Sequence, residues 1–197
     1  MINQDKKRIF VAINFSQDIK KQIEDYKKEI QDSLSPELDF IFKWVIDENF
    51  HLTLNFLGNL SQQEIDKISE ILEKISQNYK KSEIYFDKIV LGPAKNKPRL
   101  IWMEGRAGEE LKKLKNNLDN IFLEQGFLDK KDIQKFIPHI TLSRMSSWQW
   151  HSINREDRPI IEKDIDLKIP VLSLDLMESK LKRTGPEYMK IKSFSLV

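Results

Sequence analysis

Three histidines occur in the 197-residue sequence: His51, His139 and His151. Two of them open the same tetrapeptide pattern, His51-Leu52-Thr53-Leu54 and His139-Ile140-Thr141-Leu142, one in each half of the chain. Alternate residues of an extended strand share a face. His51 and Thr53 therefore point one way while Leu52 and Leu54 point into a core, and His139 and Thr141 do the same. Each copy offers an imidazole and a hydroxyl side by side, about 6–7 Å apart along the strand. If the two halves pack about a pseudo-two-fold axis, the four polar groups converge on one cleft. Two threonine hydroxyls can donate to the non-bridging oxygens of a phosphodiester. Two imidazoles on opposite sides of phosphorus can take a proton from attacking water and give one to the leaving oxygen. Histidine suits both tasks because its pKa lies near neutrality. The motifs are nearly symmetric, so residue types alone do not choose the acid. A single H-x-T in a strand carries little information; two copies in equivalent halves weigh against a pair of merely half-exposed strand histidines.

Other chemistries lack their residues. There is no cysteine, which excludes disulfides, thiolate nucleophiles and cysteine-based zinc sites. The six glycines form neither G-x-G-x-x-G nor G-x-x-x-x-G-K-[ST]. No dense His/Asp/Glu cluster of the kind a di-metal phosphatase needs is present in the sequence, so neither a metal nor a cofactor is expected. His151 stands in Trp148-Gln149-Trp150-His151-Ser152 without a threonine two residues on, and reads as a loop histidine packed on tryptophan. Lys95, Lys97 and Arg99, beside Pro93 and Pro98, read as a solvated loop, with RNA-backbone contact as the lesser reading. Thirty-three basic and 31 acidic side chains give a net charge of +2, too balanced to argue nucleic-acid binding, so any attraction for phosphate must be local.

The elements that must hold these groups follow from periodicity. Residues 8–14, 42–46 and 51–57 read as strands, and Ser16 caps a helix carrying Ile19, Ile23, Tyr26 and Ile30 that ends before Ser35-Pro36. A capping box of Ser61 and Glu64 starts a second helix with Ile65, Ile68, Leu72 and Ile75 on one face. Strands are expected at 83–91 and 99–103. A third helix over 109–125 turns Leu111, Leu114, Leu118 and Ile121 inward and stops at Gly126. Residues 139–144 form the second motif strand, and two more strands fall near 171–177 and 188–196, with 145–165 unassigned. A helix precedes an H-x-T-L strand in each half, a faint repeat that predicts an α+β fold. The expectation is one bilobal domain, residues 1–197, with antiparallel sheets, pseudo-two-fold duplicated halves and a central cleft. The N-terminal MINQDKKRIF has no signal-peptide core, and no apolar run approaches a membrane span. A cytoplasmic monomer without membrane association is expected.

At its two motifs the sequence resembles the two-histidine (2H) phosphoesterase superfamily, and within it the RNA 2′,3′-cyclic phosphodiesterase (LigT-like, "2′-5′ RNA ligase") family. The resemblance covers nearly the whole chain. It runs through Arg8-Ile9-Phe10-Val11-Ala12-Ile13, Trp44-Val45, Glu48 to Gly58, Pro98 to Trp102, Gly126-Phe127 and Phe136 to Arg144. It continues through Leu176 to Leu181, Gly185-Pro186-Glu187-Tyr188 and Phe194. It implies metal-independent hydrolysis of an RNA-terminal 2′,3′-cyclic phosphate to a 2′-phosphate, with His51 as proton donor to the 3′-oxygen and His139 as acceptor from water. Family members are also associated with reversible 2′-5′ joining of RNA. The residues five beyond each histidine gain roles too: Phe56 packing on base or ribose, Arg144 on phosphate. Regular strand parity sends both to the opposite face, so a bend or bulge is required. The chain departs from many relatives where Asp132 and Gln134 replace Glu-x-Arg, with Lys135 as a possible substitute. Small cyclic nucleotides as substrates, or a non-catalytic RNA-end binding module, are the alternatives to RNA-end hydrolysis.

Overall fold

Two antiparallel sheets carry the two motifs, and neither sheet is drawn from one half of the chain alone. The computed structural model describes residues 6–94, 97–133, 135–183 and 185–197. One sheet has four strands: β1 (Lys7–Asn14), β3 (His51–Leu60), β8 (Ser173–Lys182) and β9 (Gly185–Ser195), in the order β3-β1-β8-β9. The other has five: β2 (Lys43–Trp44), β4 (Ser82–Gly92), β5 (Leu100–Ala107), β6 (His139–Arg144) and β7 (Glu162–Val171), in the order β2-β6-β5-β4-β7. The expected α+β architecture is present. The halves, however, exchange strands: β2 from the first joins the second motif's sheet, and β8 and β9 from the last third join the first motif's sheet.

Helix α1 (Gln17–Asp32) starts where the Ser16 hydroxyl accepts from the Ile19 amide at 3.4 Å, and it buries Ile23 and Ile30. Helix α3 (Gln62–Ser76) has the expected capping box, with the Ser61 amide donating to Glu64 at 2.7 Å, and buries Ile65, Ile68, Leu72 and Ile75. In α4 (Glu109–Glu124) the buried stripe is Leu111, Leu114, Leu118 and Phe122. Phe122, four residues after Leu118, takes the fully buried place expected of Ile121, which is only half-buried because it lies a quarter-turn off the stripe. Gly126 ends α4 at φ +76°. The Phe127 amide returns to the Phe122 carbonyl and the Gly126 amide to the Leu123 carbonyl, a Schellman stop. Two short helices go beyond the expected three, α2 (Pro36–Asp39) and α5 (Ser147–Ser152).

The second strand is shorter than the 42–46 expected. Ile41 and Phe42 turn into the core, and the chain leaves the sheet for a tight turn at Asp47–Asn49. β7 is a strand beyond those expected, and the strand expected near 171–177 is β8. In β7, Ile165, Leu167, Ile169 and Val171 face the core in alternation with Asp166, Lys168 and Pro170, as suits a sheet edge, where proline is tolerated. One continuous apolar core runs beneath both sheets, from Ile9 to Leu196. Among the described residues no helix is long and apolar enough to cross a membrane.

Candidate active site

β3 and β6 break their ladders at the same place in the motif. Against β1, Thr53 pairs with Ala12 and Asn55 with Val11, leaving Leu54 as an extra residue. Against β5, Thr141 pairs with Trp102 and Ser143 with Ile101, leaving Leu142 as the extra residue. Each is a bulge that inserts one residue and reverses the parity beyond it. Leu54 with Asn55, and Leu142 with Ser143, are consecutive buried pairs. Phe56 and Arg144 consequently return to the face of the histidines. The parity objection disappears for a physical reason common to both halves.

All six residues then meet. His51, Thr53, Phe56, His139, Thr141 and Arg144 line one cavity of about 840 Å³ between the sheets. Each imidazole is held by the carbonyl two residues before it: His51 Nδ1 lies 2.7 Å from the Asn49 oxygen, and His139 Nδ1 2.9 Å from the Ile137 oxygen. A carbonyl can only accept, so Nδ1 carries the proton in the neutral ring and Nε2 is left as the reactive nitrogen. His51 Nε2 is 3.0 Å from the Thr53 hydroxyl, which can donate to it.

Aromatic rings back both imidazoles. His51 lies between Phe10, at 5.2 Å, and the edge of Tyr188, at 4.9 Å, whereas His139 rests on Trp102 at 4.5 Å. Burial pushes both histidines below the usual imidazole range, His51 to about 4. The Arg144 guanidinium works in the same direction on both, and the Asn49 and Ile137 carbonyls partly oppose it. Glu104, opposite His139 on β5, supports the charged form of that ring alone. The cleft therefore holds neutral imidazoles beside a fixed positive charge, a setting that favours an incoming anion.

The chain has relatives among known proteins. Residues 13–102 match the family model described as LigT like Phosphoesterase. An Aeropyrum pernix RNA 2′,3′-cyclic phosphodiesterase is 30% identical over 154 residues, covering 74% of this chain and 81% of the relative. The chain belongs to the LigT-like phosphoesterase family. A second relative, the RNA 2′,3′-cyclic phosphodiesterase of Thermotoga maritima, is 29% identical over 184 residues, 92% of this chain and 91% of its own. E. coli LigT in its apo form shares the fold at a TM-score of 0.74 and 23% identity, with 98% of both chains covered.

Several residues weighed from sequence stand outside this LigT-like cleft. His151 is in the last turn of α5 rather than a loop, exposed and bonded to the Ser147 carbonyl at 2.6 Å. Its neighbour Trp150 is buried, while Trp148 is exposed. Lys97 and Arg99 are exposed and do not line the cavity, and Lys95 lies outside the described residues. Asp132 accepts from the Asp129 amide at 3.0 Å in a tight turn. Gln134 lies outside the described residues, and Lys135 is exposed and absent from the cavity wall. Among the described residues no three histidine, aspartate or glutamate side chains group as metal ligands would.

The structure adds residues to the site that the sequence did not single out for it. Phe10 and Trp102 back the imidazoles from neighbouring strands and Tyr188 backs His51 from the opposite edge strand β9, relations that depend on sheet register. Gly92 supports one of them: a Cβ there would stand 2.4 Å from the Trp102 ring. Only glycine leaves the indole its place beneath His139, where the two rings are tilted by 42°. Lys43 also lines the cavity, opposite Arg144 on the β2–β6 ladder.

Proposed function

We propose that residues 1–197 act as one two-lobed RNA 2′,3′-cyclic phosphodiesterase, opening the cyclic phosphate at an RNA end to leave a 2′-phosphate. The observation that carries this reading is the pair of equivalent imidazoles, each fixed through Nδ1, that present Nε2 to one cavity together with Thr53, Thr141 and Arg144. The names of the Aeropyrum pernix and Thermotoga maritima relatives support the substrate class.

In the proposed reaction His139 Nε2 accepts a proton from water as its oxygen attacks phosphorus. The bond from phosphorus to the 3′-oxygen breaks on the far side, and His51 Nε2 gives its proton to that oxygen. A 3′-hydroxyl and a 2′-phosphate monoester result. His139 leaves the step charged and His51 neutral, and exchange with solvent resets both. Thr53 and Thr141 donate to the non-bridging oxygens while Arg144 balances the charge that grows on them. Phe56, 61% exposed in the cavity wall, offers a ring face to the terminal base or ribose. His51 must be charged to act as acid although burial lowers its pKa to about 4. The bound phosphate anion supplies the opposite charge that raises it. No step draws on a metal ion.

Turnover tests this directly. An oligoribonucleotide ending in 2′,3′-cyclic phosphate should yield a 2′-phosphate end, identified by phosphorus NMR. A 3′-phosphate product would reverse the leaving oxygen, and binding without turnover would reduce the chain to an RNA-end binding module.

A further inference from the structure

Lys43 and Arg144 are direct partners in the β2–β6 ladder, so two cationic side chains leave the same face side by side. Like charges placed directly opposite destabilise a strand pair. Among the described residues neither has a carboxylate within ion-pair distance, whereas Lys182 on the far wall of the same cavity is paired with Glu187 at 2.6 Å. The charges that act on the imidazoles include Arg144, Lys20 and Glu104. Arg144 thus acts on both imidazoles, while Lys43 stands beside it on the edge strand, both side chains being exposed. A single small phosphodiester at the histidines would engage Arg144 and leave Lys43 uncompensated. A strand of nucleic acid would not, because its next phosphate follows one nucleotide along.

Resting on the RNA-end reading above, we infer that Lys43 binds the phosphodiester linkage one nucleotide upstream of the reacting phosphate. It thereby makes the site prefer the end of an RNA strand to a free cyclic mononucleotide. Lys43 is a specificity residue on this account. It touches substrate away from the reacting atoms, so its loss should raise KM for strands and leave kcat unchanged.

The experiment compares the unsubstituted chain with Lys43→Ala on three substrates. These are a nucleoside 2′,3′-cyclic phosphate, a short oligoribonucleotide with the same end, and that oligoribonucleotide with a neutral methylphosphonate at its last linkage. Lys43→Ala should lose about ten-fold in kcat/KM on the charged oligonucleotide, through KM, and stay within about two-fold on the mononucleotide. The methylphosphonate should cost the unsubstituted chain a similar factor and Lys43→Ala almost nothing further. The salt dependence of oligonucleotide KM should also flatten by about 0.7 in the log–log slope, the share of one single-strand phosphate. Lys43→Arg should restore the preference. Equal losses on all three substrates, or no loss on the charged oligonucleotide, would overturn the inference while leaving the phosphodiesterase reading standing. Turnover of none of them by the unsubstituted chain would overturn that reading and the inference with it.

Discussion

β3 and β6 make the same bulge at the fourth residue of the same motif, yet one delivers a phenyl ring to the cleft and the other a guanidinium. Their inward residues differ as well. Asn55 bonds the buried Asp119 of α4 at 2.6 Å, while the buried Ser143 hydroxyl has no partner among the described residues. His51 is wedged between two rings and linked to Thr53, whereas His139 lies on one ring and faces Glu104. Duplicated backbone geometry thus gives two imidazoles of matched reach, and the neighbours make them unequal. The β3 side is the more desolvated and apolar. The β6 side carries the Arg144 guanidinium, which in the proposed reaction meets phosphate.

The threonines probe this inequality with the largest expected effect. Thr53→Val and Thr141→Val should each cost on the order of 2–4 kcal/mol in kcat/KM, the loss of one donor to the developing oxyanion. Only Thr53→Val should also move the pH profile. Its hydroxyl donates to the neutral His51 ring, so removing it raises that pKa and shifts the corresponding limb to higher pH. Near-normal kcat/KM in both variants would make the hydroxyls structural.

The glycines give a smaller contrast. Gly92→Ala pushes a methyl into the Trp102 ring beneath His139, and should cost on the order of ten- to a hundred-fold in kcat through a displaced imidazole. Gly58, at φ +78° on β3, has nothing within 4 Å of an added Cβ. Gly58→Ala should cost about 1–2 kcal/mol of stability and spare kcat. Equal effects on kcat would remove Trp102 as the support of His139.

Stability against pH reads chiefly the burial of the two rings. His51 is lowered to about 4 in the folded chain from an ordinary 6.5. Above pH 6.5 neither state is charged and the shift contributes nothing. As pH falls from 6.5 to 4 the unfolded chain binds a proton that the folded chain refuses, and stability drops by on the order of 2–3 kcal/mol. Below 4 the loss levels off. Denaturant titrations of His51→Asn should show a shallower acid slope, and His139→Asn a smaller flattening, since that ring rests on one aromatic neighbour. The reverse order would contradict the picture of a more desolvated β3 side. The smallest effect expected is none: exhaustive EDTA treatment should leave turnover unchanged, and loss restored by a divalent ion would overturn the mechanism.

The motifs were legible because strand alternation is local: His, Thr and two apolar residues at period two declare which side faces a core. Helices α3 and α4 were legible for the same reason, through the Ser61–Glu64 capping box and the Gly126 stop. The bulges at Leu54 and Leu142 carry no residue-type signal, so parity pointed Phe56 and Arg144 the wrong way. Phe10, Trp102, Tyr188 and Lys43 reach the imidazoles and Arg144 only across strands, and register between distant segments is not written in either one. The exchange of β2, β8 and β9 between sheets was hidden likewise. β7 carries the same period-two pattern as the motif strands, Ile165, Leu167, Ile169 and Val171 between polar residues and Pro170, and was legible on the same ground.

The division of labour between the two histidines is tested most directly by changing the leaving group. On a 2′,3′-cyclic phosphate both His51→Ala and His139→Ala should lose about 10²–10⁴-fold, the usual span of general acid or base catalysis. On a diester whose leaving group is an activated aryl oxide the acid becomes nearly unnecessary. There His51→Ala should recover most of its activity while His139→Ala stays impaired, because water must be deprotonated whatever departs. Rescue of His139→Ala instead would exchange the two roles, and equal rescue of both would leave neither assignment standing. Wild-type turnover of the cyclic phosphate by both variants would contradict the two-histidine mechanism itself.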